Sequence, residues 1–199
     1  MRLKEGHKEK DIIEAAVKVF AEFGYHNAKI STIAKKANVA TGSVYVYYKN
    51  KEDILFNIFD TLWQDLFEKL KIVSDNNELQ PDEKVELMVD MVFEVFSGNP
   101  SLAVVFVNEQ NNIIRLGEYR FNDYYEKFLD FAEAVLKEGI AKGLFRKEID
   151  LNVFRNFIFG AIRYLLHVWA EDPKKIGIKK ISSTVKNLLL HGIMKHTRN

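Results

Sequence analysis

An all-α fold is predicted from three observations. Apolar residues recur three and four positions apart along most of the 199-residue chain, only three prolines and ten glycines interrupt them, and two short helical segments about four residues apart outline a helix-turn-helix in the first quarter. With 47% apolar residues the chain can furnish a core. The arrangement expected is an N-terminal three-helix helix-turn-helix domain, residues 1–51, followed by a larger C-terminal helical domain, residues 52–199.

Taken in order, Met1 to Lys10 carries Arg2, Lys4, Lys8 and Lys10. It is expected to be loosely ordered, either lying along a phosphate or simply solvated. Ile12, Ile13, Ala16, Val17 and Phe20 share a helix face, which Phe23-Gly24 closes. In Ser31 to Ala37 the apolar Ile33, Ala34 and Ala37 mark a short helix that includes Thr32, and Asn38 breaks it. In the next segment Val44 and Tyr48, four apart, are expected to point into the small core. That leaves Thr41, Ser43, Tyr45, Val46 and Tyr47 for the outer faces. Their hydroxyls suit phosphate or base edges, and the Val46 methyls suit a thymine methyl. Gly42 lacks a Cβ and so allows close backbone approach. Lys49 and Lys51 flank Asn50, an N-cap for the next helix, whose start can hold a phosphate.

That next helix runs from Lys51 to about Val73 on a stripe from Ile54 to Leu70 and is the mechanical link between the domains. A loop ends at Pro81, a helix follows to Phe96, and Gly98-Asn-Pro100 stops it. Residues 101–112 form a short helix, and a long one spans about Arg115 to Lys142. Val153 to Trp169 is apolar nearly all round, so more than one of its faces needs covering. Ile178 to Ile193 is a second amphipathic helix. Pairing these last two helices with the same pair of a second copy is the economical solution, with Gly160 and Ala161 permitting close approach.

Charge separates along the chain. Residues 1–51 hold ten lysines or arginines against five acidic residues, whereas the remainder holds 19 against 23. A basic head on an acidic body suggests that one end meets a polyanion, with salt-dependent binding. With no cysteine the chain forms no disulfide. Without an apolar leader or a long charge-free apolar run, a soluble cytoplasmic protein and no membrane partner are expected. The five histidines are scattered, and no phosphate-binding glycine loop or serine elbow occurs. Neither enzyme, metal site nor cofactor is expected.

The run from Asn38 to Leu55 (Asn-Val-Ala-Thr-Gly-Ser-Val-Tyr-Val-Tyr-Tyr-Lys-Asn-Lys-Glu-Asp-Ile-Leu), preceded by Ala15 to Tyr25 and by Ile33-Ala34, resembles the N-terminal domain of TetR-type transcriptional regulators over about residues 8 to 56. One departure is Asn38, where the family usually has glycine; asparagine tolerates a left-handed turn. The resemblance implies an all-helical homodimer that represses transcription and releases its palindromic double-stranded operator when a small molecule binds the larger domain. The DNA-contact set is then Thr32, Thr41, Gly42, Ser43, Tyr45, Val46, Tyr47, Lys49 and Lys51. Gly24-Tyr-His26, Leu102-Ala-Val104 with Glu109, Glu138-Gly-Ile140 and Phe159-Gly-Ala-Ile162 are similar to the fatty-acid-metabolism (FadR-like) group, which implies long-chain acyl-CoA as effector.

Fifteen phenylalanines also favour an apolar effector. Candidate pocket walls are Phe93, Phe96, Phe106, Phe121, Tyr125, Phe128, Phe159 and Tyr164, each equally readable as core. Arg163, with Glu109, Asn111 and Arg115, is a candidate anchor for a charged end; Arg163 reads equally as a dimer-interface or snorkelling residue. Two alternatives stay open: a ligand-binding or scaffolding helical dimer without DNA binding, and a regulator that binds DNA only with its ligand.

Overall fold

The computed structural model describes the backbone of residues 5–115 and 119–194 and the side chains of residues 8–113, 123–124 and 126–194. Among these residues it holds α1 (Glu5–Asn27), α2 (Ile30–Lys36), α3 (Thr41–Tyr47), α4 (Lys51–Ser74), α5 (Pro81–Ser97), α6 (Pro100–Arg115), α7 (Tyr119–Ala141), α8 (Leu151–Glu171) and α9 (Ile178–Ile193). The fold is all-α, with a helix-turn-helix unit at the N-terminus and a larger helical body after it.

Helix α1 starts at Glu5, so part of the segment expected to be loose is helical. It breaks at Gly24, whose φ of 73° is open to glycine and strained for other residues. The chain then folds back, burying Tyr25 and Ala28 beneath α1. Asn38 takes the left-handed turn between α2 and α3 at φ 55°. Val44 and Tyr48 are buried, although Tyr48 lies one residue past α3 in extended backbone. The Tyr48 hydroxyl donates to Glu9 Oε1 at 3.4 Å. Burial first, then the charge of Glu9, the bond to it and the charge of Asp53, push this phenol well above its ordinary value.

Asn50 caps α4 by accepting from the Asp53 N–H at 2.8 Å. The stripe Ile54, Leu55, Ile58, Phe59, Leu62, Leu66 and Leu70 is buried throughout, so α4 carries one continuous core from α1 to the far end of the body. Gln80 and Glu83 form a capping box at α5 with Pro81 in its first turn. The short helix expected over 101–112 extends to Arg115 as α6, and the long helix expected from Arg115 begins at Tyr119 as α7. Helix α8 begins two residues early, because Asp150 accepts from the Val153 N–H at 3.0 Å and caps it.

On α8 only Ile162, Leu166 and Trp169 are buried, while Val153, Phe157 and Tyr164 stand about two-thirds exposed. Leu188 of α9 is 71% exposed. Even if a few such residues are ordinary on any surface, a row of them at helical spacing on one element marks an uncovered face.

Candidate functional site

Helix α3 is only seven residues long and is held by Val44 and by Tyr48 beyond its end. Its outer face is free: Tyr45 is 55% and Val46 79% exposed, and Thr41 and Gly42 are exposed beside them. Ser43 and Thr32 are half-buried at the margin, and Tyr47 is half-buried against the core. No acidic residue lies within α3. An exposed aromatic and aliphatic pair among hydroxyls, on a helix supported from behind, is a surface fit for a major groove. Lys49 is exposed at the exit and its backbone N–H donates to Asp53 Oδ2 at 3.0 Å.

Lys51 is placed otherwise than expected. Its ammonium donates to the Tyr25 and His26 carbonyls at 2.8 Å each and to that of Ala28 at 3.4 Å, and lies 4.5 Å from the centre of the Tyr25 ring. The charge is spent on the carbonyls that end α1 rather than turned toward a ligand. Burial, followed by the charges of Glu52 and Glu109, pushes the Tyr25 phenol up to about 12, so this ring stays neutral.

In the body two apolar cavities share Val92, Phe128 and Ile162 as walls and so lie side by side, in one apolar column of the core between α4, α5, α7 and α8. The larger, about 60 Å³, reaches Leu70, Leu136 and Leu189 at the far end. The smaller, about 20 Å³, is lined by Trp63, Phe96, Phe106, Phe159 and Arg163. Edge-to-face and tilted rings connect its walls: Trp63 to Phe106 at 5.8 Å, Trp63 to Phe128 at 5.5 Å, Phe128 to Phe159 at 6.2 Å. Among the described residues Arg163 is the one charged residue on the column, and its Nη2 donates to the Val107 carbonyl at 2.7 Å. Pockets that hold small molecules run from about 300 Å³ upward. A ligand therefore has to spread these helices in order to enter.

Residues 12–58 match the family model of bacterial regulatory proteins, tetR family, and residues 59–192 match that of the YsiA-like protein, C-terminal region. This chain belongs to the TetR family. It is 33% identical over 186 residues, 94% of this chain and 95% of the other, to the fatty acid metabolism regulator protein of Bacillus subtilis. It is similar in structure to the fatty acid degradation regulator FadR from Bacillus halodurans, with a TM-score of 0.81 and 34% identity over 96% of this chain and 98% of that one. FadR from Bacillus subtilis, solved in complex with stearoyl-CoA, gives a TM-score of 0.77 and 31% identity over 93% and 99%. The protein is thus a transcriptional regulator and not an enzyme.

Within this TetR-family body the pocket candidates separate. Phe96, Phe106, Phe128, Phe159 and Arg163 line the column. Phe93 is buried but opens instead onto an outer groove between α5 and α9, beside Asp90, Ser182 and Lys186. Tyr164 points out of the body, 67% exposed beside His167. Glu109 is buried yet off the column, with its carboxylate on the Tyr25 N–H and the Asn112 side chain. The side chains of Arg115, Phe121 and Tyr125 lie outside the described residues. Reading aromatics alone missed Trp63, Val92 and Ile162; the signal for Trp63 was its place beside Leu62 on the buried stripe of α4.

Proposed function

We propose that this TetR-family regulator is a cytoplasmic homodimeric repressor, which binds a palindromic operator through residues 1–51 and is released by a long-chain acyl-CoA held in residues 52–199. The observation that carries the effector is the column itself: apolar along its length, with Arg163 in the wall of its smaller cavity, in a chain that aligns over nearly its whole length with a regulator solved with stearoyl-CoA. An acyl chain matches the apolar walls, and a guanidinium matches the anionic head.

DNA binding rests on the exposed face of α3. Tyr45, Val46 and Thr41 meet the groove, Gly42 admits a phosphate, and Ser43, Thr32, Tyr47 and Lys49 border the surface; Lys51 supports it from behind. The uncovered faces of α8 and α9, with Val153, Phe157, Tyr164 and Leu188, pair with those of a second copy. The dimer then sets two α3 helices about 34–36 Å apart, one turn of duplex or a multiple of it. A column this narrow favours the DNA-binding form. Ligand that widens it shifts the population toward a form with the wrong α3 separation.

Thermal unfolding in the presence of acetyl-, decanoyl- and stearoyl-CoA tests the effector. Stearoyl-CoA at about a hundred times its Kd raises Tm by about 5–10 °C and acetyl-CoA leaves it unchanged. Equal shifts from all three, or none, rule out recognition of the acyl chain.

A further inference from the structure

Two hydrogen bonds on α6 lie two residues apart and reach in different directions. Arg163, in the wall of the smaller cavity, holds the Val107 carbonyl at 2.7 Å. The carboxylate of Glu109, only 5% exposed, accepts from the Tyr25 backbone N–H at 3.2 Å across 84 positions of sequence. Its second oxygen accepts from the Asn112 amide at 2.6 Å, which fixes the rotamer. The Tyr25 turn is itself pinned by the Lys51 ammonium, and Lys51 is the first residue of α4, directly after the recognition helix and its exit. A continuous set of polar ties therefore runs from the cavity to the base of the DNA-reading unit. Among the described side chains Glu109 supplies the polar tie between α1 and α6, and apolar packing accompanies it. Apolar packing is non-directional, whereas a buried carboxylate that loses its donor is left uncompensated. The tie at Glu109 is the part of this contact that fixes register.

We propose that Glu109 is a positioning residue that conveys the state of the cavity to the DNA-reading helix. An anionic effector head draws the Arg163 guanidinium from the Val107 carbonyl, α6 shifts, and Glu109 carries the Tyr25 turn with it, so that Lys51 and the start of α4 move together. This rests on the proposed reading of the column as the effector site. Two discrete arrangements of one strap, biased from both ends, satisfy what coupling between distant sites requires.

The test uses the full-length dimer, stearoyl-CoA and an operator selected from random duplexes. Three quantities are measured: operator Kd, stearoyl-CoA Kd, and the factor by which saturating stearoyl-CoA weakens operator binding. Glu109→Ala binds stearoyl-CoA at least as tightly as the native chain, while its coupling factor falls to within about twofold of unity, against about 5–150-fold for typical coupled sites. Glu109→Gln keeps an oxygen for the Tyr25 N–H and lies between the two. Should Glu109→Ala not fold, Glu109→Leu, which keeps the bulk and has no acceptor, decides, since a native coupling factor there overturns the proposal. A native factor in Glu109→Ala overturns it as well. So does loss of stearoyl-CoA binding, which would place Glu109 in the effector's own site. A coupling factor of one in the native chain sinks the effector reading itself and this inference with it.

Discussion

Tyr45 and Lys51 stand six residues apart and behave in opposite ways. Tyr45 has over half its surface in solvent and no structural duty, so Tyr45→Ala is expected to weaken operator binding about tenfold or more with an unchanged Tm, read by mobility shift and thermal melting. Lys51 closes three carbonyls at the end of α1. Lys51→Met removes those charged hydrogen bonds and costs about 1–2 kcal/mol in urea unfolding. Operator affinity then falls through the displaced start of α4. An unchanged urea midpoint in Lys51→Met would refute the capping role. The sequence displays a lysine's charge but not the carbonyls that use it, because those arise from a turn at Gly24 that lies 27 positions upstream. Glu109 stands out in the sequence as a candidate ligand anchor, but its actual partner does not, being a backbone N–H 84 positions away.

At the scale of elements, periodicity and capping residues marked most boundaries correctly. Asn50 sits where the sequence puts a helix start, and α5 begins one residue earlier than read, at Pro81 itself, since capping is local chemistry. Helix α3 was legible through its turn and its Val44–Tyr48 pair, though seven residues are too few to hold a helix in isolation. What local pattern does not encode is which apolar faces meet. Phe93 and Phe96 share α5, yet only Phe96 reaches the column. The same holds for the ion pair that fastens α5 to α7. Lys84 is 1% exposed and donates to the Ser74 carbonyl at 2.9 Å and to Glu138 at 2.8 Å. A hydrogen bond from Lys142, then one from Lys84, hold the Glu138 carboxyl below the usual carboxylate range against the opposing effect of burial. A carboxyl lowered on folding contributes stability that is complete above its unfolded value of about 4.3 and disappears as pH falls through the lowered folded value. Acid titration of the native chain should show this loss below about pH 4. Glu138→Ala leaves Lys84 buried without its carboxylate, costs about 3 kcal/mol at neutral pH, and shows a shallower acid decline. A parallel decline in both chains would contradict the assignment.

The whole molecule depends on what a single chain leaves unpaired. Phe157 is 66% exposed on α8, so Phe157→Glu has little to disturb within one chain. Across a pair of chains it puts a carboxylate into an apolar seam, and analytical ultracentrifugation is expected to find a monomer with a native far-UV spectrum. Operator affinity falls with it, since one half-site alone is bound. A dimer that persists in Phe157→Glu would remove α8 from the interface. The central claim is that DNA and a long-chain acyl-CoA compete for two forms of one dimer. Its most direct test is fluorescence anisotropy of a labelled, selected palindromic duplex bound to the native protein and titrated with stearoyl-CoA. Anisotropy is expected to fall to the value of free DNA at micromolar stearoyl-CoA and to stay unchanged with acetyl-CoA. Anisotropy that stays high while stearoyl-CoA saturates the protein would contradict it.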